Sequence, residues 1–116
     1  MPGAFTLYSA DGERVRFPDP SGGEADAAGD FDNLLWRSRG ELRVLAKTDP
    51  DAHVDFTSEE AAAMEMEIEY LLKRAAERPQ QLEPRHGAAQ RGLMRLREMA
   101  RWCAAHEGSR IAWRGD

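Results

Sequence analysis

The pair of residues with the most reactive side chains is Cys103 and His106, which lie three positions apart near the end of a predicted helix. Residues at this spacing are neighbours on one helix face, and an imidazole beside a thiol is the minimum for a thiolate nucleophile. A thiol enzyme also needs an orienting group and an oxyanion site, which the surrounding sequence does not indicate. We therefore expect Cys103 to fill the core and His106 to stabilise the helix end, and we predict no catalytic residue.

Histidines and acids supply only fragments of metal-binding patterns. Cys103 and His106 would provide half of a tetrahedral zinc site, and His53 and His86 need not converge on them. Residues 49–60 place oxygen donors at several positions of a calcium loop, but valine stands where that loop needs glycine. A turn followed by a helix cap explains the same stretch. We therefore predict no metal and no cofactor.

Acidic side chains are the strongest candidates for a binding role. Residues 18–32 hold five acids and no Lys or Arg, so this segment is uniformly negative. Further carboxylates lie on the first predicted helix, where Glu65 and Glu69 are four residues apart. Because opposite charge accelerates association, such a surface suits a basic protein partner. The predicted contact residues are Glu24, Asp26, Asp30, Asp32, Glu65, Glu67 and Glu69.

Charge is unevenly distributed along the chain, whose formal net charge is −5. Residues 1–36 contain two Arg and seven acids, whereas residues 79–116 contain seven Arg and four acids. The acidic half would repel a phosphate backbone, and we expect Arg97 and Arg101 to pair with Glu98 and with the acidic helix. The charge pattern therefore argues against nucleic-acid binding and favours a basic protein as partner.

Short runs of β-forming residues predict the strands of a small sheet. An Asp-Gly pair within Ser9–Gly12 is typical of a hairpin turn between two such runs. Residues 18–32, rich in Gly, Pro and acids, predict a loop. The predicted strands are Phe5–Tyr8, Val15–Phe17, Glu41–Lys47 with Leu34–Arg37 as its candidate partner, His53–Phe56, and Arg110–Arg114 with Ile111 and Trp113 facing inward.

Two helices are predicted from capping signals and apolar spacing. Thr57–Glu60 forms a capping box, and Pro79 ends the helix that follows it. The second helix begins near Pro84 and ends near Gly108. The core-facing stripes are Ala61, Met64, Ile68, Leu71, Leu72 and Ala75 on the first helix, and Ala89, Leu93, Leu96, Ala100 and Cys103, with Met99 beside them, on the second.

These elements predict one α+β domain over residues 1–116, with an acidic loop at 18–32. We expect a small antiparallel sheet of about four to five strands with two antiparallel helices packed on one face. Leu, Ile, Val and Phe supply only 19 of the 116 residues, so the core is small. The single cysteine excludes an internal disulfide, and the sequence has neither a membrane span nor a signal-peptide pattern, so a cytoplasmic location is expected.

Two functions from different classes are compatible with these features. The first hypothesis is a non-enzymatic acidic protein-binding module, in its most concrete form an inhibitor or immunity-type partner of a basic toxin or nuclease. The alternative is a small-molecule-binding or enzymatic domain with a pocket between sheet and helices, lined by some of the three Trp and five Met. A homodimer is compatible with both hypotheses, because a second copy would bury more apolar area.

Overall fold

The computed structural model describes residues 3–15, 24–26, 35, 37–49, 52–77 and 86–115. Within these residues the chain forms an antiparallel sheet and two long helices. In chain order the elements are β1 (Ala4–Tyr8), β2 (Glu24–Asp26), two short 3-10 turns (Arg39–Glu41 and Leu45–Lys47), β3 (His53–Thr57), α1 (Ser58–Glu77), α2 (His86–Ala105) and β4 (Arg110–Arg114).

The sheet has the spatial order β2-β1-β4-β3, and every neighbouring pair is antiparallel. Strands β1, β4 and β3 have five residues each, and β2 adds a three-residue edge. The predicted α+β class, with antiparallel strands in one sheet and two helices packed together, is confirmed. The predicted count of four to five strands is not confirmed, because the body of the sheet is these three longer strands.

The strand predicted at Glu41–Lys47 is wrong. The chain there forms the 3-10 turns Arg39–Glu41 and Leu45–Lys47. Val44 and Leu45 are both buried although they are adjacent, and a strand would point them to opposite faces. The predicted partner strand also fails at its described residues, since the backbone at Leu35 and Arg37 is helical.

The predicted hairpin turn after β1 is confirmed. Gly12 donates its N–H to the Ser9 carbonyl over 2.9 Å and has a φ of 85°, which glycine adopts without strain. The returning chain pairs with β1 at Arg14, which forms an isolated bridge to Tyr8. Residues 16 and 17 of the predicted second strand lie outside the described residues.

The segment predicted as a loop at residues 18–32 contains β2, so that prediction is wrong for Glu24–Asp26. These three residues pair with Ala4–Thr6 of β1. Glu, Ala and Asp are poor strand formers, but the hydrogen bonds of a sheet join backbone groups, and β1 supplies an edge for them. The remaining residues of the segment lie outside the described part of the chain.

The capping box at the start of α1 is confirmed. Glu60 donates its backbone N–H to Thr57 Oγ1 over 3.2 Å, and Glu60 Oε1 accepts the Thr57 N–H over 3.0 Å. Behind this cap, the predicted stripe of α1 is fully buried at Ala61, Met64, Ile68 and Leu71, with Leu72 partly buried against it. Pro79 and the side chain of Ala75 lie outside the described residues.

The Glu60 carboxylate makes the stability contributed by this cap depend on pH. Its hydrogen bond with Lys47, followed by that with the Thr57 amide, lowers the pKa of the Glu60 carboxyl below its ordinary value. A lowered folded-state pKa stabilises the fold at pH values above the unfolded pKa, and this contribution is lost as the pH falls through the lowered value. We expect Glu60→Gln to reduce the free energy of unfolding by about 1 kcal/mol at pH 7.

The measurement is urea unfolding of wild type and Glu60→Gln between pH 7 and pH 3. The stability difference should shrink as the pH falls below the ordinary pKa of a glutamate and through the lowered pKa of Glu60, because the wild-type carboxylate then takes up its proton. Glu59→Gln is the matched control, because Glu59 is exposed on the same first turn. A difference that stays constant over the whole pH range would contradict the assignment.

The second helix and the last strand follow the prediction. Leu93, Leu96, Met99, Ala100 and Cys103 of α2 are fully buried, while the side chain of Ala89 lies outside the described part. Gly108 has a φ of 89° just after the helix, as expected of a terminating glycine.

In β4 the inward residues are Ile111 and Trp113, both buried in the core between sheet and helices. No helix within the described ranges is long and apolar enough to cross a membrane.

Candidate functional site

Glu67, one of the predicted contact residues, binds the backbone of its own chain. Its Oε2 accepts the N–H groups of Arg43 and Val44, each over 2.9 Å, and its Oε1 accepts the N–H of Leu45 over 2.9 Å. These are the free donors at the start of the turn Leu45–Lys47, where a negative charge is stabilising. The geometry therefore gives Glu67 a structural role in holding residues 43–47 against α1.

Glu65 and Glu69 pair with arginines of α2. Glu65 binds Arg101, and Glu69 Oε1 lies 3.2 Å from Arg97 and 3.4 Å from Arg101. Arg101 also lies 3.1 Å from Glu98. The predicted matching of Arg97 and Arg101 by Glu98 and by the acidic helix is confirmed, and these pairs show that the two helices run antiparallel.

The hydrogen bond with Glu65, the largest influence, raises the pKa of the Arg101 guanidinium. All of these side chains are partly exposed, so the cluster contributes little to stability, but its three acids are each paired with at least one of two arginines. A partner that approached this face would meet acids already paired with bases.

A further acid, Glu41, is held by two side chains of α1 that sequence reasoning did not connect with it. Tyr70 donates its hydroxyl hydrogen to Glu41 over 2.8 Å, and Arg74 donates to Glu41 over 3.0 Å and to the Tyr70 oxygen over 3.0 Å. These two partners raise the pKa of Arg74, with Tyr70 the larger influence. The four-residue spacing of Tyr70 and Arg74 was visible in the sequence. Glu41 could not be assigned to the same cluster, because a strand was predicted there.

The other predicted contact residues lie in the segment 18–32. In the register of β2, Glu24 is opposite Thr6 and Asp26 is opposite Ala4. Asp30 and Asp32 lie outside the described residues. The contact residues therefore do not form one described surface: three belong to α1 and are bound to groups of the chain, and two belong to the edge strand β2. Their contact with a partner stays a prediction.

The sheet face opposite the helices carries another charged group. Asp55 of β3 lies 3.8 Å from Arg110 and 3.4 Å from Arg114, both on β4. The Arg110 guanidinium stands 4.6 Å from the centre of the Tyr8 ring, in a cation–π contact. This face is polar, and Asp55 is half-exposed on it, with 54% of its side chain accessible.

The thiol and imidazole considered as a nucleophilic pair have different neighbours. Cys103 is buried, and Ser109 Oγ lies 3.3 Å from its Sγ. His106 is exposed; its ring stacks on Trp102 at 3.7 Å, and its Nδ1 lies 2.7 Å from the Trp102 carbonyl oxygen. Burial raises the pKa of the Cys103 thiol, which opposes formation of a thiolate.

Cys103 is therefore expected to react slowly with a thiol reagent. In native buffer at pH 8, reaction with DTNB should be at least about a hundredfold slower than in guanidinium chloride, because the buried thiol reacts only when the chain opens. The matched control is Ala104→Cys in a Cys103→Ala background, since position 104 is exposed on the same helix. Equal native rates for the two cysteines would contradict the burial of Cys103.

Among the residues that the structure describes, no group of three or more His, Cys, Asp or Glu side chains could hold a metal ion.

Fold and contacts together define a small α+β protein whose described acids are largely bound to groups of the same chain. The chain matches no known family model, no curated protein and no solved structure.

Proposed function

We propose that this chain is a non-enzymatic protein-binding module whose acidic segment, residues 18–32, recognises a basic protein. One observation carries the proposal: this segment has five acids and no Lys or Arg, and β2 attaches it to the edge of the sheet. The sequence thus concentrates five negative charges within fifteen residues, and the backbone of Glu24–Asp26 within this segment pairs with β1. Association steered by opposite charge requires such a concentration of charge.

The intramolecular pairs of α1 favour this segment over the helix as the main contact surface. Releasing Glu67 would leave three backbone N–H groups without their acceptor. Glu65 and Glu69 keep 27% and 49% of their side chains exposed, so they can approach a partner at its rim while they remain paired with arginines. We therefore assign the main contacts to Glu24, Asp26, Asp30 and Asp32.

The concrete form of the proposal is an inhibitor of the immunity type, directed against a basic toxin or nuclease. A nuclease carries positive charge where it holds the phosphate backbone. A segment of closely spaced carboxylates carries the same negative charge as the phosphate backbone, so it can bind the positive surface of the nuclease in place of the nucleic acid. The acidic charge then provides a fast association rate, and the packed domain beside it blocks the access of the nucleic acid.

The alternative of a ligand pocket rests on Trp and Met as lining residues. Met64, Met99 and Trp113 are buried in the core between sheet and helices, and the Trp113 ring packs on Phe5 with centroids 4.9 Å apart. Core packing accounts for these residues, so we do not propose a pocket.

The test is capture of partners by a tagged copy of the chain at low and moderate salt, with identification by mass spectrometry. A stoichiometric basic protein that is released as the salt concentration rises is the expected result, because screening weakens contacts between exposed charges. The captured protein is then purified and its binding to the chain is measured directly. Failure of every captured protein to bind when purified would overturn the proposal.

A further inference from the structure

The hydrogen-bond register of the sheet shows which backbone groups of β3 point away from it. Gly115 donates its N–H to the Ala52 carbonyl over 2.8 Å, so these opposite residues form a hydrogen-bonded pair. In an antiparallel ladder hydrogen-bonded and non-hydrogen-bonded pairs alternate. The next hydrogen-bonded pairs are therefore Val54 with Trp113 and Phe56 with Ile111.

The pairing of β4 with β1, on its other side, gives the same hydrogen-bond register for β3. Val15 donates its N–H to the Leu7 carbonyl over 2.9 Å, so Leu7 uses its backbone groups away from β4. The backbone groups that face β4 are then those of Tyr8, Thr6 and Ala4. They bond to Arg110, Ala112 and Arg114 of β4, respectively. Ile111 and Trp113 are left to bond β3, in agreement with the register deduced from Gly115.

The backbone N–H and C=O groups of His53 and Asp55 consequently point outward from β3. In the described part of the chain β3 is the last strand of the sheet, and no strand lies beyond it. Thr57, the next outward residue, gives its N–H to the capping carboxylate of Glu60. Two donors and two acceptors, at the spacing of a strand, thus lie along this edge.

The edge is also acidic. Residues 49–60, which contain β3, hold five acids and no Lys or Arg. Asp55, at the centre of the strand, is paired with Arg110 and Arg114 of β4 and keeps 54% of its side chain exposed, and Glu59 is exposed just beyond the end of the strand. Within the described residues, this edge strand combines backbone groups that point outward with acidic side chains that favour a basic partner.

We propose that the β3 edge accepts an extended basic segment of the partner protein as an added antiparallel strand. This inference rests on the proposed function and adds a binding mode to it. A Lys or Arg of the added strand lies directly opposite Asp55, where cross-strand pairs of opposite charge are favourable. A second copy of β3 fits less well, because two-fold pairing about the strand centre would place Asp55 opposite Asp55.

The first part of the test is amide hydrogen exchange of the isolated protein by NMR. The amides of Val54 and Phe56 should exchange slowly, and those of His53 and Asp55 should exchange at least about tenfold faster. Slow exchange of all four amides that does not depend on protein concentration would mean that this chain itself covers the edge, which would overturn the proposal. Protection of His53 and Asp55 that grows with protein concentration would identify a second copy as the occupant and overturn it as well.

The second part adds a peptide of eight alternating Lys and Val residues. Its Lys side chains share the polar sheet face with Asp55, and its Val side chains lie beside Val54. Binding should protect the amides of His53 and Asp55, and a Glu-Val peptide should bind at least about tenfold more weakly. The Lys residues opposite β3 also donate the backbone hydrogen bonds, so N-methylation at Lys should weaken binding about tenfold, whereas N-methylation at Val should leave it nearly unchanged.

The outcomes separate this inference from the proposed function. A Lys-Val peptide that binds without protecting His53 and Asp55, or that tolerates N-methylation at Lys, overturns strand addition and leaves an acidic protein-binding surface elsewhere. A protein that binds neither peptide at the edge also overturns strand addition. The proposed function is judged separately, by the capture experiment and by the substitution of acids in residues 18–32.

Discussion

Replacing Trp113 by Ala is expected to lower the free energy of unfolding by about 3–5 kcal/mol. Trp113 lies in a central strand with only 5% of its surface exposed, and its ring packs on Phe5. Its Nε1–H donates to the Asp49 carbonyl over 2.9 Å, which ties the segment before β3 to the sheet. The backbone of Gly3 lies so close that a Cβ there would overlap the ring. The loss combines a large cavity with a carbonyl that loses its donor.

Urea unfolding followed by circular dichroism measures this effect. Trp113→Phe keeps an aromatic ring in the core and should cost clearly less than the Ala variant, though it removes the N–H donor. Met94→Ala is the matched surface control, since Met94 is 48% exposed, and should change stability by less than about 0.5 kcal/mol. A Trp113→Ala loss as small as the control would contradict the packing of the core.

Replacing Glu67 by Ala is expected to cost about 2–3 kcal/mol, although its side chain is partly exposed. The carboxylate accepts three consecutive backbone N–H groups, and hydrogen bonds to a charged group are the stronger kind. Its loss leaves the start of the turn Leu45–Lys47 without an acceptor while Val44 and Leu45 must stay buried. An ordinary exposed helix glutamate would cost almost nothing.

The same denaturation assay checks this prediction. Glu67→Gln should fall between wild type and Glu67→Ala, because its amide keeps only one oxygen to accept hydrogen bonds. Met66→Ala is the matched control, because Met66 is 75% exposed at the adjacent position of the same helix. A Glu67→Ala variant as stable as this control would show that the three amides do not need the carboxylate.

The elements predicted correctly are those specified by short-range patterns. The capping box at Thr57 and the apolar spacing that follows it define α1, and Gly108 and the alternation of residues 110–114 define the end of α2 and strand β4. These signals act within a few residues of each other, so the sequence displays them directly.

The errors occurred where a distant residue decides the structure. Residues 41–47 have the composition of a strand, but Glu67, more than twenty residues away, accepts the amides that a neighbouring strand would otherwise take. Strand β2 is likewise decided by the edge that β1 offers, because Glu24–Asp26 has little strand propensity of its own. Propensity gives no information about such partners.

The surroundings of the candidate contact residues also depend on distant parts of the chain. A row of glutamates on a predicted helix looks uniform in sequence, yet Glu65 and Glu69 face the arginines of α2 while Glu67 faces the backbone of residues 43–45. The pairing with Arg97 and Arg101 could be predicted because two antiparallel helices place opposite charges together. The role of Glu67 could not, because it depends on the path of a turn that was predicted as a strand.

We expect the acids of residues 18–32, and not acidity in general, to bind the basic partner. The most direct measurement compares the dissociation constants of two variants for the captured partner at low salt. The first variant combines Glu24→Gln, Asp26→Asn, Asp30→Asn and Asp32→Asn. The control neutralises four exposed acids elsewhere: Asp11→Asn, Glu13→Gln, Glu77→Gln and Glu107→Gln.

Both variants have the same formal net charge, because neutralising four acids changes −5 to −1 in each. If residues 18–32 bind the partner, the first variant should bind at least about tenfold more weakly than wild type, and the control should differ from wild type by less than about threefold. Equal dissociation constants for the two variants would contradict the claim, because the partner would then respond only to net charge.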